Sequence, residues 1–213
     1  MAAADPDGHL RVWWENFLTT IPATLNGARY VEAALSAPLE GFRLIAKYDL
    51  VLVQPGGLVT IYDWKTSTPN PRLAHRPKRG WLSQRLQTRI YPYLLVTAGA
   101  TLNGGQPFAP ENVRMVYWFA DPQIPPETFT YSSTQWEEDR RFLQSLVKEL
   151  VQLGPQDFTL AASEIPCRYC VYRSLCNRGV QAGELGNEDQ PEFVDSGMGS
   201  LDFTLEQIGE ISF

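Results

Sequence analysis

Residues 41–66 read GFRLIAKYDLVLVQPGGLVTIYDWKT, and their folding decides how the rest of the chain is arranged. Two runs of β-branched and apolar residues flank Pro55, Gly56 and Gly57. Strand formers on both sides of a Pro-Gly-Gly punctuation predict a β-hairpin. The midpoint between Asp49 and Asp63 is residue 56, the turn itself. In an antiparallel hairpin, residues equidistant from the turn face each other, about 5 Å apart. The two aspartates are therefore expected side by side. Lys65 lies two residues beyond Asp63, and side chains on a strand alternate with period two, so Lys65 shares that face. Two carboxylates and an ammonium meet on a mostly apolar patch of sheet.

The flanking segments extend this hairpin into a domain. Residues 29–39 read as a strand entering through Gly41, which makes three strands in one antiparallel meander. Residues 10–20, LRVWWENFLTT, carry apolar side chains at helical spacing. Residues 69–79 hold three prolines and several basic residues and read as a loop. Residues 81–99 read as one helix, with a possible kink at Pro92. Residues 112–120, NVRMVYWFA, form an apolar strand, and residues 128–132 a further short one. Ser133 and Thr134 followed by Glu137 mark the start of a helix running to about residue 153. This order predicts an α/β fold with a mixed β-sheet flanked by helices and a C-terminal cysteine-rich helical part. The expected organisation is a disordered start over 1–9, a core over 10–162, a cysteine-rich segment over 163–180 and a mostly disordered acidic tail over 181–213. Within that tail, residues 201–213 have the pattern of a short amphipathic helix.

Charge is unevenly distributed. The whole chain of 213 residues carries a net −6, but residues 181–213 contain eight acids and no base, and residues 1–180 carry +2. Residues 64–90 hold Lys65, Arg72, Arg76, Lys78, Arg79, Arg85 and Arg89 and no acid. An acid-free basic run beside a carboxylate pair suits a polyanionic substrate. No apolar run approaches the roughly 18–20 residues that span a bilayer, so no membrane partner is expected. The first residues show no basic-then-apolar leader, and the cysteine count of three is odd. Both features predict a reducing, cytoplasmic location.

Mg²⁺ prefers hard oxygen ligands and usually takes one or two carboxylates, leaving other positions to water and phosphate oxygens. Asp49 and Asp63 offer such a pair, and the carbonyl of Trp64 is a candidate third ligand. A metal to activate water, with Lys65 beside it, meets the needs of phosphodiester hydrolysis. The alternative is a structural ion pair across a hairpin. On the following helix, Gln87 and Tyr91 are spaced i, i+4 and share a face. Arg85 and Arg89 add guanidinium groups to that helix, with a buried tyrosine and a surface glutamine as the plainer account.

Together, Asp49, the run Asp63-Trp64-Lys65 and the run Gln87 to Tyr91 resemble the PD-(D/E)XK nuclease superfamily in its RecB-like branch. That branch carries an acid on one strand, D/E-x-K on the next and Q-x3-Y on the following helix. The resemblance implies a restriction-endonuclease-like fold and dependence on Mg²⁺ or Mn²⁺. It further implies exonuclease-like cleavage of DNA in repair, recombination or defence, with a helicase or other repair or defence protein as partner. By position, Asp49 and Asp63 would bind metal, Lys65 would be catalytic, and Gln87 and Tyr91 would support the geometry. Arg72, Arg76, Lys78, Arg79, Arg85 and Arg89 would contact DNA. A non-catalytic DNA-binding or scaffold module that keeps the fold is the alternative.

Cys167, Cys170 and Cys176 form C-x2-C-x5-C. Three thiols within ten residues point to a shared metal. The spacing resembles the C-terminal part of the iron–sulfur clamp in AddB-type and CRISPR-associated RecB-like exonucleases. It implies a 4Fe-4S cluster whose fourth cysteine has no counterpart in this chain. Zinc held by three cysteines and a histidine, or an apo segment, are the alternatives. The family's upstream histidine also lacks a counterpart: only His9 precedes Asp49, in a segment expected to be flexible. The resemblance thus predicts a chain that lacks the N-terminal segment.

Overall fold

The computed structural model describes residues 8–21, 25–66, 79–157, 159–163, 167, 170 and 172–178. The expected disorder over residues 1–7 and 181–213, the loop over 69–78 and the helix over 201–213 lie outside them. Two compact units divide the chain: Met1–Thr68 with His75–Glu149, and Pro69–Ala74 with Leu150–Phe213.

The first unit is built on a five-stranded mixed sheet. Its strands are β1 (Ala28–Leu39), β2 (Phe42–Val53), β3 (Val59–Lys65), β4 (Val113–Phe119) and β5 (Glu127–Thr130), which neighbour one another in that order. β1, β2 and β3 pair antiparallel, β4 runs parallel to β3, and β5 is antiparallel to β4. Glu40 and Gly41, both at positive φ (48° and 83°), join β1 to β2 in a two-residue turn. Such a turn matches the twist of the strands it connects. At the second turn Gly56 and Gly57 have φ of 88° and 87°, a conformation that costs glycine little, and Gln54 N–H donates to Leu58 O at 2.8 Å.

A parallel step from β3 to β4 requires a crossover, which the helices after β3 supply. α1 (His9–Thr20) precedes the sheet, α2 (Arg79–Gln84) and α3 (Leu86–Ala98) form the crossover, and α4 (Ser133–Gln152) follows β5. β3 is apolar on both sides. Val59 and Ile61 join the larger core with Leu82, Tyr93, Leu94, Leu95 and Leu143 from α2, α3 and α4. Tyr62 and Trp64 join the smaller core, where Phe17 of α1 meets Trp64 and Trp118 edge-on, with ring centres 6.0 Å apart. Asn16 Nδ2 donates to Phe119 O (3.2 Å) and Ala120 O (3.0 Å), which ties α1 to the end of β4. The sheet thus lies between α1 and the other helices.

Three local expectations are corrected. The helix predicted over 81–99 is two helices, broken at Arg85 (φ −65°, ψ 140°) and not at Pro92, which lies inside α3. Thr88 Oγ1 donates to Leu82 O at 2.6 Å, and Arg85 N–H to the same carbonyl at 3.2 Å, so the end of α2 is closed locally. The cap of α4 is Ser132, whose Oγ accepts the N–H of Gln135 at 3.2 Å, while Glu137 pairs with Arg140. His9, expected in an unordered start, opens α1.

In the second unit, Arg173–Cys176 forms a 3-10 turn. All three thiols are free, and Cys167 is buried. Arg178 braces this segment: Nη1 donates to Cys167 Sγ at 3.1 Å and Nη2 to Ala161 O at 2.7 Å.

Candidate active site

β2 and β3 remain paired only as far as Leu50 opposite Tyr62. The next row would set Asp49 against Asp63. There the backbone ladder stops and a side chain takes over: Asp49 Oδ2 accepts the N–H of Trp64 at 2.7 Å. Asp49 therefore bridges the two strands through its carboxylate. Trp64 gives its N–H to the site while its indole packs in the opposite core against Tyr62, at 5.4 Å.

Asp63 is 3% exposed. Gln87 and Lys65 hold its carboxylate from two sides. Gln87 Nε2 donates to Oδ1, and the Lys65 ammonium lies 2.8 Å from Oδ2. Lys65 Nζ also donates to Gln87 Oε1 at 3.3 Å, which closes a three-residue ring between β3 and α3. Despite the ion pair, Oδ2 is buried without an aligned hydrogen-bond donor. Burial pushes the carboxyl of Asp63 up to about 6, and the charge of Asp49 adds to the rise, whereas Lys65 and Arg85 oppose it. Asp49 is also raised by burial, against the Trp64 hydrogen bond and the charge of Lys65. Two carboxylates whose ionised forms burial disfavours, sharing one ammonium, form a site suited to a cation.

Tyr91, on the same face of α3 as Gln87, reaches β2 and not the carboxylates. Its hydroxyl donates to Lys47 O and its own carbonyl accepts the hydroxyl of Tyr48, both at 2.9 Å. This reciprocal pair locks α3 onto β2 next to Asp49. Tyr117 adds a further brace that the sequence did not reveal. It lies opposite Asp63 in the parallel register, and its ring centre is 5.6 Å from Lys65 Nζ. Because the Thr88 hydroxyl is spent on Leu82 O, the phenol of Tyr117 donates to Thr88 Oγ1, at 2.7 Å. Burial raises the phenol well above its ordinary value, which keeps it neutral.

The arginines expected to bind DNA separate into different settings. Arg89 is committed to the fold: its Nε lies 2.6 Å from Asp139 Oδ1, and its guanidinium sits 3.8 Å from the ring centre of Phe142. Asp139 is 1% exposed and also accepts the Tyr131 hydroxyl at 3.0 Å. Its position was readable in retrospect, because Trp136, Asp139, Leu143 and Val147 recur at helical spacing along the inward stripe of α4. Arg79 pairs with Glu127 at 3.0 Å and lies over Phe129. Arg85, at the break between helices, rests over Trp81 at 4.9 Å. Arg72, Arg76 and Lys78 lie outside the described residues, as does His75.

Two carboxylates suffice for Mg²⁺ or Mn²⁺ when substrate and water fill the other positions, and the buried Oδ2 of Asp63, ion-paired with Lys65 but without an aligned hydrogen bond, fits that use. Among the described residues, no three His, Cys, Asp or Glu side chains gather closely enough to cage a metal. That holds for Cys167, Cys170 and Cys176, so the expected 4Fe-4S cluster has no assembled ligand set there. No helix among the described residues is long and apolar enough to cross a membrane.

A family model described as the PD-(D/E)XK nuclease superfamily matches residues 6–177. No curated protein matches the chain. Among solved structures, the chain is similar to the crystal structure of SSO0001 at 14% identity and a TM-score of 0.40, covering 82% of this chain and 71% of that one. It is also similar to a protein of Eubacterium rectale provisionally assigned as an exonuclease, at 10% identity and a TM-score of 0.43. That match covers 71% of this chain and 56% of the other.

Proposed function

This chain belongs to the PD-(D/E)XK nuclease superfamily, and from that premise we propose that it hydrolyses the phosphodiester backbone of DNA with Mg²⁺ or Mn²⁺ held by Asp49 and Asp63. The observation that carries the proposal is the buried carboxylate of Asp63, fixed by Lys65 and Gln87, with one oxygen lacking an aligned donor beside Asp49. A bound divalent cation supplies an activated water and polarises the phosphate. The protein's own groups do the rest. Lys65 orients the attacking water and stabilises the negative charge that builds on the phosphate oxygens. Gln87 keeps Asp63 and Lys65 in mutual register. Tyr91 holds α3 against Asp49, and the carbonyl of Trp64 is the third candidate ligand. Arg85, with the basic run through Arg72, Arg76 and Lys78, attracts the substrate backbone in a salt-sensitive way that does not read sequence.

Assignment to the RecB-like branch rests on Gln87 and Tyr91 following the Asp63-x-Lys65 strand. With it come an exonuclease-like action, a role in repair, recombination or defence, a helicase-type partner and a cytoplasmic location. The cysteines are a separate element of this proposal: anaerobically purified protein with the visible absorbance of a 4Fe-4S cluster would restore the clamp. Zinc in stoichiometric amount would replace it, and a colourless zinc-free protein would leave an apo segment.

The test is hydrolysis of end-labelled single- and double-stranded DNA with Mg²⁺ or Mn²⁺, comparing the protein with Lys65→Ala. Loss of the lysine lowers the rate by about 10²–10⁴-fold while DNA binding without metal persists. Equal rates would end the assignment. The other reading is a DNA-binding scaffold that keeps the nuclease fold. A protein that binds DNA but not Mn²⁺ would establish it.

A further inference from the structure

Glu32 has φ +54°, inside β1 and away from any turn. Side chains rarely adopt that backbone conformation, and within a strand it calls for a reason. The faces of the sheet supply one. In β1, Leu35, Ala37 and Leu39 point into the larger core, and so does Tyr30, which has the opposite parity. In β2, Leu44, Ala46 and Tyr48 point into that core, and beyond them so do Val51 and Val53, while Leu50 and Leu52 point into the other. Both strands therefore exchange faces, yet their register does not slip: Val31 stays opposite Leu50 and Ala33 opposite Tyr48. The exchange occurs at the one row between these pairs, Glu32 and Asp49.

The consequence falls on the candidate site. A regular strand sends neighbouring residues to opposite faces. Here the consecutive residues Tyr48 and Asp49 both serve the face that carries α3. Tyr48 reaches the carbonyl of Tyr91, while Asp49 reaches across to the Trp64 N–H at the point where β2 leaves its ladder with β3. The side chain of Glu32 pairs with Lys47 Nζ at 2.5 Å, with both partners about half exposed, and its charge acts on Asp49 less than burial, the Trp64 hydrogen bond or Lys65 does.

We propose that Glu32 is a positioning residue for the Asp49 carboxylate: its left-handed backbone rolls β1 and β2 over together and brings Asp49 and Tyr48 to the same face of the sheet. It acts through backbone conformation, and its carboxylate is dispensable. The link to catalysis rests on the nuclease reading above, whereas the link to the position of Asp49 does not.

The test compares Glu32→Gly, Glu32→Gln and Glu32→Val by thermal unfolding, by the amide resonance of Trp64 and by Mn²⁺ affinity. Glycine accepts positive φ freely, so Glu32→Gly melts higher than wild type and keeps both the Trp64 resonance and the affinity. Glu32→Gln also keeps them. The β-branched valine resists positive φ, so Glu32→Val displaces the Trp64 resonance and weakens Mn²⁺ binding about tenfold or more, as for residues that orient metal ligands. If the valine variant does not fold, Glu32→Ala replaces it, with the same direction. An unmoved Trp64 resonance in the valine or alanine variant overturns the proposal. So does a loss of affinity in Glu32→Gln or Glu32→Gly that matches the valine variant, because the carboxylate would then be the working part. Wild-type protein that binds no Mn²⁺ defeats the metal-dependent reading instead, and the Trp64 resonance alone then decides the role of Glu32.

Discussion

Replacing Asp63 with Asn removes an ionisable group and keeps the shape that Gln87 and Lys65 hold. The carboxyl of Asp63 sits at about 6 in the folded protein, raised chiefly by burial. In the unfolded chain it should titrate near 3.9. Between those values the native state binds a proton that the unfolded state has released, so stability falls as pH rises through this window. A shift of about two units at about 1.4 kcal/mol each gives about 3 kcal/mol. The residue is only 3% exposed, so solvent screening removes little of this. Below pH ~4 the neutral acid and the amide are equivalent and the two proteins unfold alike. Above pH ~7 Asp63→Asn should be the more stable by about 3 kcal/mol. Urea unfolding in EDTA at intervals from pH 4 to 8 reads this difference directly. The order should narrow or reverse with Mn²⁺, because a ligand at 100 times its Kd stabilises the native wild type by about 2.7 kcal/mol. If the variant is no more stable at pH 7, or the difference does not change with pH, the Lys65 ion pair outweighs burial and the argument for a strained, cation-seeking site fails.

Other outcomes follow from the same contacts. Arg89→Ala leaves Asp139 buried and charged against Tyr131, and should cost about 3 kcal/mol in urea unfolding at pH 7; a loss below 1 kcal/mol would return Arg89 to the DNA-contact set. Tyr117→Phe removes one buried hydrogen bond to Thr88 but keeps the ring beside Lys65, so it should cost about 1 kcal/mol and leave the DNA hydrolysis rate unchanged; a slower rate would show that the phenol hydroxyl bears on the site as well as on the fold. Deleting residues 181–213 removes eight acids and should raise DNA affinity at low salt in filter binding, whereas an unchanged affinity would show that the tail does not compete for the basic surface.

What the sequence showed and what it hid divide along a physical line. The hairpin was legible because its determinants are local: Gly56 and Gly57 fix the turn, and counting outward from it sets Leu50 opposite Tyr62. Asp63, Lys65 and Gln87 were legible for the same reason, since a strand period of two and one helix place all three. The ion pair of Arg89 was hidden because its partner Asp139 is fifty residues away, inside a charged run that looks like a solvated helix face until the stripe of Trp136 and Leu143 is traced. The break at Arg85 was hidden because Thr88, a residue with no breaker signature, supplies the hydroxyl that takes the carbonyl of Leu82, while Pro92, the expected breaker, stays within α3. Glu32 is the extreme case. The run of buried residues from Leu50 to Leu52 has no alternation from which an exchange of faces could be read, and β1 passes through its own exchange at a glutamate, a residue with no preference for positive φ. A backbone distortion shared by two strands leaves both individual sequences ordinary. It can be seen only when the side chains of the two strands are assigned to cores together, and that is where the argument for Asp49 as a placed carboxylate rests.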